Sequence, residues 1–287
     1  MPYTVASSFE RFHDNINLGG EHRDTANRRR DDIVAKLNKS FEIIDSFSTG
    51  SIPKYTALKS HADLDVIVVL DWHKHIQGKR PASLLQDVSK CLVGWRTGGR
   101  KNGQAVTLYY TTWPNADIVP VSRVLYADGT LSHYLVPDSN TGTWIKSNPK
   151  KHAANVEAKS IVCGENFRRI IKIIKHWNSI HGGYLQSYHI EVLAINVLNG
   201  QLNDISLNLY NFFDKSLKLL QTPLWYDNGF ADNYLNGTIR PEVCKRFTSA
   251  ASKSLSAWYC TYSNINDQKP AIEIWRQLFG EKFPAYG

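Results

Sequence analysis

At 287 residues the chain has room for one large domain or two ordinary ones, with a real hydrophobic core. Its 42% hydrophobic, 21% charged and 11% aromatic residues are those of a soluble globular protein, and no run approaches the roughly 18 apolar residues of a membrane helix, so no membrane partner is expected. A net charge of +8 suits polyanions, nucleic acid and nucleoside triphosphates alike.

The first residues, Met1-Pro2-Tyr3-Thr4-Val5, lack the apolar core of a signal peptide. Cys91, Cys163, Cys244 and Cys260 are widely spaced and form no Cys-x-x-Cys pair, which argues against a zinc ribbon and for a reducing, cytoplasmic setting. Ala26, Ile33, Val34 and Leu37 form the apolar stripe of a helix over 21–39, leaving Arg28, Arg29 and Arg30 as its solvated face rather than a nucleic-acid patch. A strand over 41–48 then delivers the small-residue turn Gly50-Ser51. Such a turn lets backbone N–H groups and a hydroxyl approach a phosphate, and Lys54 and Thr56 follow closely enough to add donors.

Asp63-Leu64-Asp65 runs directly into Val66, Ile67, Val68, Val69 and Leu70, the pattern of a strand buried on both faces. Strand alternation puts Asp63 and Asp65 on one side, where two repelling carboxylates are either a solvated pair at a strand entrance or a seat for a divalent cation between them. His73 and His75 read as loop residues. A helix follows over 83–95 with Ser83 as N-cap and Leu84, Leu85, Val88, Leu92 and Trp95 buried, and then a strand over 105–110. Asp117 lies in a further strand that Pro120 is expected to end. Residues 126–151, rich in Asp-Gly, Thr-Gly and Asn-Pro turns, read as a connector from a sheet-based lobe to a helical one. A helix over 165–179 buries Phe167, Ile170, Ile171, Ile174 and Trp177 and carries a separate basic stripe of Arg168, Lys172 and Lys175. Ser187 stands at the N-cap position of the next helix, where a hydroxyl and the helix terminus favour an anion.

Gly-Ser, a spacer of eleven residues between Ser51 and Asp63, then Asp-x-Asp before a hydrophobic strand resembles the signature of the polymerase-β-like nucleotidyltransferases. Arg169 to Trp177, followed by Ser187-Tyr188-His189-Ile190-Glu191, is similar to the second block of the bacterial CD-NTases, relatives of cyclic GMP-AMP synthase and oligoadenylate synthase. Gly229 to Asn233 also resembles that family's segment before its final helices. The resemblance implies an α+β fold: a polymerase-β-like core with a mixed sheet and N-terminal helix over 1–150, a helical C-terminal lobe over 151–287, and an active site in the cleft between them. It makes Asp117 the third carboxylate beside Asp63 and Asp65, together holding two Mg²⁺ or Mn²⁺ ions. Gly50, Ser51, Lys54, Thr56, Lys172, Lys175 and Ser187 would bind the nucleotide, Lys175 and Ser187 contacting the donor triphosphate.

The implied activity joins ATP and/or GTP into a cyclic di- or trinucleotide, read by a separate effector protein in anti-phage defence. A site of the same build could instead add nucleotides to an RNA end or a protein, or survive as an inactive scaffold that binds nucleic acid. Because no cysteine–histidine cluster matches the zinc insertion with which cyclic GMP-AMP synthase grips DNA, direct activation by nucleic acid is not expected. His176, His181 and His189 read as packing or solvated residues, and Trp113, Tyr226 and Tyr234 are aromatics able to stack on a base.

Overall fold

The computed structural model describes residues 3–59, 62–95, 99–226, 229–233, 235–263 and 268–287. In chain order the helices are α1 (Val5–Ile16), α2 (Gly20–Leu37), α3 (Pro81–Leu92), α4 (Pro149–Cys163), α5 (Asn166–Ile180), α6 (Ser187–Val197), α7 (Ile205–Leu220), α8 (Ile239–Ser263) and α9 (Lys269–Phe279). The strands are β1 (Ile43–Thr49), β2 (Leu64–Leu70), β3 (Gly99–Asn102), β4 (Ala105–Leu108), β5 (Ala116–Leu125), β6 (Leu131–Asp138), β7 (Thr143–Ser147) and a short ribbon, β8 (Trp225–Tyr226) with β9 (Gly229–Phe230). Among the described residues no helix is long and apolar enough to cross a membrane.

The chain forms two compact units. One comprises Leu18–Tyr55 and His61–Ala153, the other Met1–Asn17, Thr56–Ser60 and Ala154–Gly287. The division expected at residue 150 therefore differs at the N-terminal end, where α1 goes with the helices. The reason is its apolar face. A Thr4–Ser7 capping box starts α1, and Phe9 and Phe12 then pack on Trp275, Phe279 and Phe283. Phe12 is wholly buried, with ring centroids 5.2 Å from Phe279 and 5.3 Å from Phe283. Phe12→Ala is expected to cost about 3–5 kcal/mol of unfolding free energy, read by urea denaturation.

The other unit is built on a mixed sheet in the order β1-β2-β5-β4-β3, with β6 joined to β5 and β7 to β6. Among the described residues only the β2–β5 pair is parallel; the rest are antiparallel. Apart from Asp65, every residue of β2 is buried, as expected of a strand covered on both faces.

Three local expectations give way. Pro81, with its φ preset at the first helical position, starts α3 after Arg80, so Ser83 lies inside the helix, which stops at Leu92. Pro120 does not end its strand. It falls where β5 has passed its pairing with β4 (through Ile118) and not yet met β6 (from Ser122), so on that edge there is no ladder to interrupt. The presumed connector over 126–151 folds back as the β6–β7 hairpin. Its turn residues are hairpin turns: Asp128 accepts from the Thr130 N–H at 2.9 Å, and the Gly142 N–H donates to the Asp138 carbonyl at 2.9 Å.

Candidate functional site

The chemistry-bearing residues of the sheet unit gather where β1, β2 and β5 run side by side. In the parallel β2–β5 ladder Asp65 pairs directly with Asp117, which sets two carboxylates on the same face of strands about 4.8 Å apart. Asp63, one residue ahead of β2, is solvent-exposed. Across the other edge of β5, Thr107 is the register partner of Asp117, and its hydroxyl donates to Asp117 Oδ1. Sequence reasoning passed over Thr107. Only its parity within the strand over 105–110 could have singled it out.

Thr49 pairs with Asp65 across the antiparallel β1–β2 ladder, so the next residue, Gly50, leaves the sheet beside that carboxylate. Gly50 has φ +76°, and a Cβ placed there would lie 1.8 Å from Asp65 Oδ2. The turn through Ser51 closes with the Tyr55 N–H donating to the Ile52 carbonyl at 3.1 Å. Tyr55 holds φ 59°, in the left-handed region, under the Arg23 guanidinium 4.5 Å from its ring centroid.

The electrostatics follow from the crowding. Burial, then the Asp117 carboxylate, push Asp65 up to about 7; Asp63 adds to this, and the Lys54 charge opposes it. Asp63 is also raised, by partial desolvation and by Asp117. Among the described residues no three His, Cys, Asp or Glu side chains close into a ready-made metal cage. In nucleotide sites Mg²⁺ takes one or two carboxylates plus phosphate oxygens and water. The donor set fits such an ion: hard oxygens only, raised pKa values that a cation would reverse, and a hydroxyl fixing one carboxylate from behind.

Gly50, Ser51, Lys54, Asp63, Asp65 and Asp117 thus share one unit, whereas Thr56, Lys172, Lys175 and Ser187 belong to the helical one. There two of the three residues of the expected basic stripe, Lys172 and Lys175, are buried, whereas Arg168 is partly exposed and pairs with Glu157. Lys172 is buried and donates to Asn17 Oδ1 at 2.7 Å, with His13 Nε2 at 3.2 Å. Burial and the Lys172 charge hold that histidine down at about 4. Lys175 is buried in an ion pair with Glu191 at 2.7 Å, and the Thr56 hydroxyl, itself inaccessible, donates to the same Glu191 oxygen at 2.7 Å. The two lysines are covered because α1 and the segment at Thr56 pack against the polar side of α5. Ser187 is exposed as the first residue of α6, one place after the N-cap, Gln186.

The remaining candidates pack. His176 Nε2 is 3.0 Å from the Phe279 carbonyl, and His189 is buried 3.7 Å from Asp232, held down at about 4 chiefly by burial. Asn155 donates to Tyr226 Oη at 2.6 Å. Tyr234 lies outside the described residues.

Comparison with known proteins agrees with this architecture. A probable cyclic nucleotide synthase of Bacillus cereus is 24% identical over 191 residues, 64% of this chain and 56% of that protein, so the match spans little more than half of that relative. A cyclic AMP-AMP-AMP synthase of Acinetobacter is 23% identical over 279 residues, 90% of this chain and 78% of its own length. Among solved structures, Escherichia coli CdnC with ATP superposes with a TM-score of 0.77 at 17% identity, covering 97% of this chain and 98% of that one, and the Vibrio cholerae cyclic AMP-GMP synthase DncV with 0.64 at 13%, covering 84% and 70%. The fold is that of the polymerase-β-like CD-NTases. The model of the Second Messenger Oligonucleotide or Dinucleotide Synthetase domain matches residues 3–159, more than half of the sequence, and the chain belongs to that family.

Proposed function

We propose that this protein is a divalent-metal-dependent synthase that joins ribonucleoside triphosphates, ATP and/or GTP, into a cyclic di- or trinucleotide. The observation that carries this reading is the in-register Asp65–Asp117 pair beneath Gly50, in a chain of the second-messenger synthetase family. Its relatives' names support the substrate class: one is a cyclic AMP-AMP-AMP synthase, and CdnC was solved with ATP.

In each transfer a ribose hydroxyl of one nucleotide attacks the α-phosphorus of another; a new P–O bond forms, the bond to the β-phosphate breaks, and pyrophosphate leaves. Asp63, Asp65 and Asp117 would hold the divalent cations, whose chemistry would be to acidify that hydroxyl and compensate the charge on the departing pyrophosphate. The chain's own contribution is placement. Gly50 and Ser51 present backbone N–H groups and a hydroxyl to phosphate oxygens. Lys54, near enough to Asp65 to oppose its raised pKa, lowers the negative potential that a triphosphate must approach. Thr107 fixes the rotamer of Asp117. Ser187, exposed at the start of α6, offers donors of the same kind. A second transfer within the linear intermediate closes the ring. The product would be read by a separate effector protein in anti-phage signalling.

The full chain incubated with four labelled ribonucleoside triphosphates and Mg²⁺ or Mn²⁺ is expected to give a small, phosphatase-resistant product, abolished by EDTA. Label in RNA or in protein, or nucleotide bound without reaction, would overturn the proposal.

A further inference from the structure

Three consecutive arginines of α2 have different partners. Arg28 is exposed and donates to Thr25 Oγ1 at 3.2 Å, and Arg30 pairs with its neighbour Asp31 at 2.8 Å, so both are engaged within their own helix. Arg29, expected on the same solvated face, is half-buried and reaches across the sheet unit. Its Nη1 donates to the Thr112 carbonyl at 2.8 Å and to the Pro114 carbonyl, and its Nη2 donates to Thr112 Oγ1 at 2.7 Å. The guanidinium also lies 4.0 Å from the Tyr110 ring centroid. All four contacts fall on residues 109–115, the loop that joins the end of β4 to the start of β5. A planar, rigid fork of donors can serve two carbonyls and a hydroxyl at once while its flat face covers a ring; a lysine ammonium, a single point of charge, cannot.

What the fork fixes is the entry of Asp117 into the sheet. Pro114 is followed by Asn115, whose Oδ1 accepts from the Tyr110 N–H at 3.1 Å and whose carbonyl accepts from the Leu64 N–H at 2.9 Å. From that bond the strands run on in parallel register, Leu64 with Ala116 and Asp65 with Asp117. His22, seven residues before Arg29 and so on the same face of α2, adds an edge contact to Trp113 with ring centroids 5.1 Å apart. Thr112 is exposed, so water could satisfy its polar groups. Water could not tie them to α2.

We propose that Arg29 is a positioning residue of the transfer reaction, anchoring the β4–β5 loop to α2 so that Asp117 enters the sheet opposite Asp65. The inference rests on the synthase reading and lies wholly within the sheet unit.

The test uses the full chain carrying Arg29→Lys, which keeps the charge and gives up the fork. Thr112→Val, a milder change on an exposed residue, removes one acceptor and remains informative if Arg29→Lys fails to fold. Arg28→Met, which removes a positive charge from the neighbouring residue, is the control. Three quantities are read on folded protein: kcat, KM for ATP, and affinity for Mn²⁺ by electron paramagnetic resonance beside a non-hydrolysable ATP analogue. In Arg29→Lys a kcat at least about tenfold lower is expected, with KM within about threefold of wild type and Mn²⁺ bound at least about threefold more weakly. Thr112→Val should move kcat and Mn²⁺ affinity in the same direction by less, and Arg28→Met should move neither. A wild-type kcat or a wild-type Mn²⁺ affinity in Arg29→Lys leaves the anchor a structural tie only and overturns the proposal; if that variant does not fold, the same result in Thr112→Val does so. An equal fall of kcat in Arg28→Met, which assigns the effect to charge, overturns it too, as does a KM raised at least about tenfold at unchanged kcat, which makes Arg29 a nucleotide ligand. A wild-type chain that makes no product overturns the synthase reading. The Mn²⁺ comparison needs no turnover, and equal affinities there overturn the placement of Asp117 by Arg29 separately.

Discussion

Asp65→Asn is expected to lower product formation at least about a thousandfold, roughly 4 kcal/mol of transition-state stabilisation, and at the same time to raise the melting temperature of the metal-free protein at pH 8. Both effects come from one cause. The β2–β5 register holds Asp65 beside Asp117, and burial together with that neighbour lifts its pKa from 3.8 to about 7. A carboxyl whose folded pKa lies above its unfolded value binds its proton more tightly in the native state. Its stabilising contribution is fully present below about pH 4 and is lost as the pH rises through about 7. Asparagine has no proton to lose. The gap between variant and wild type should therefore open from about pH 4, reach on the order of 4 kcal/mol at most, and stay level above neutrality. Mg²⁺ with nucleotide should reverse the order, because only the wild type regains stability from the cation. Melting curves from pH 4 to 8, in EDTA and then in Mg²⁺ with ATP, check this. A variant that turns over normally, or melts below wild type at pH 8 in EDTA, would sink the role assigned to Asp65.

The same contrast explains what could be read from the sequence. The place of Asp65 on one face of β2 and of Gly50 in the turn after β1 was legible because each obeys a local rule: a two-residue period along β2, and a turn whose φ favours glycine. Asp117 needed the family resemblance, since register between strands far apart in sequence is a tertiary fact. The fate of Lys172 and Lys175 was not legible. Helical spacing in α5 identifies the apolar face of Ile170, Ile171 and Ile174, but it cannot say that α1, through His13 and Asn17, and the segment at Thr56 cover the polar face as well. The β6–β7 hairpin was missed for a different reason. Asp128-Gly129 and Thr141-Gly142 signal turns equally in a connector and in a hairpin, and the flanking strands alternate too weakly to decide.

Gly50→Ala should be nearly as damaging to turnover as the loss of a carboxylate, although it removes no functional group. Two effects act at Gly50, and a second glycine separates them. Gly142, in the β6–β7 turn, has φ +73°, close to the +76° of Gly50, but a Cβ there meets nothing within 4 Å. Gly142→Ala should therefore carry the left-handed backbone cost alone, about 1–2 kcal/mol of stability, with product formation unchanged. At Gly50 the added Cβ falls 1.8 Å from Asp65 Oδ2 and 2.9 Å from its Cγ. Either the carboxylate swings away from Asp117 or the turn retreats from the sheet. Each outcome displaces a reacting group by about 1 Å or more, which costs on the order of a hundredfold in rate. Turnover and urea denaturation of the two alanine variants, measured side by side, decide the matter. If Gly50→Ala loses stability as Gly142→Ala does but keeps its rate, the close approach of the turn to Asp65 has no part in the chemistry, and the phosphate-binding role of Gly50 and Ser51 falls with it.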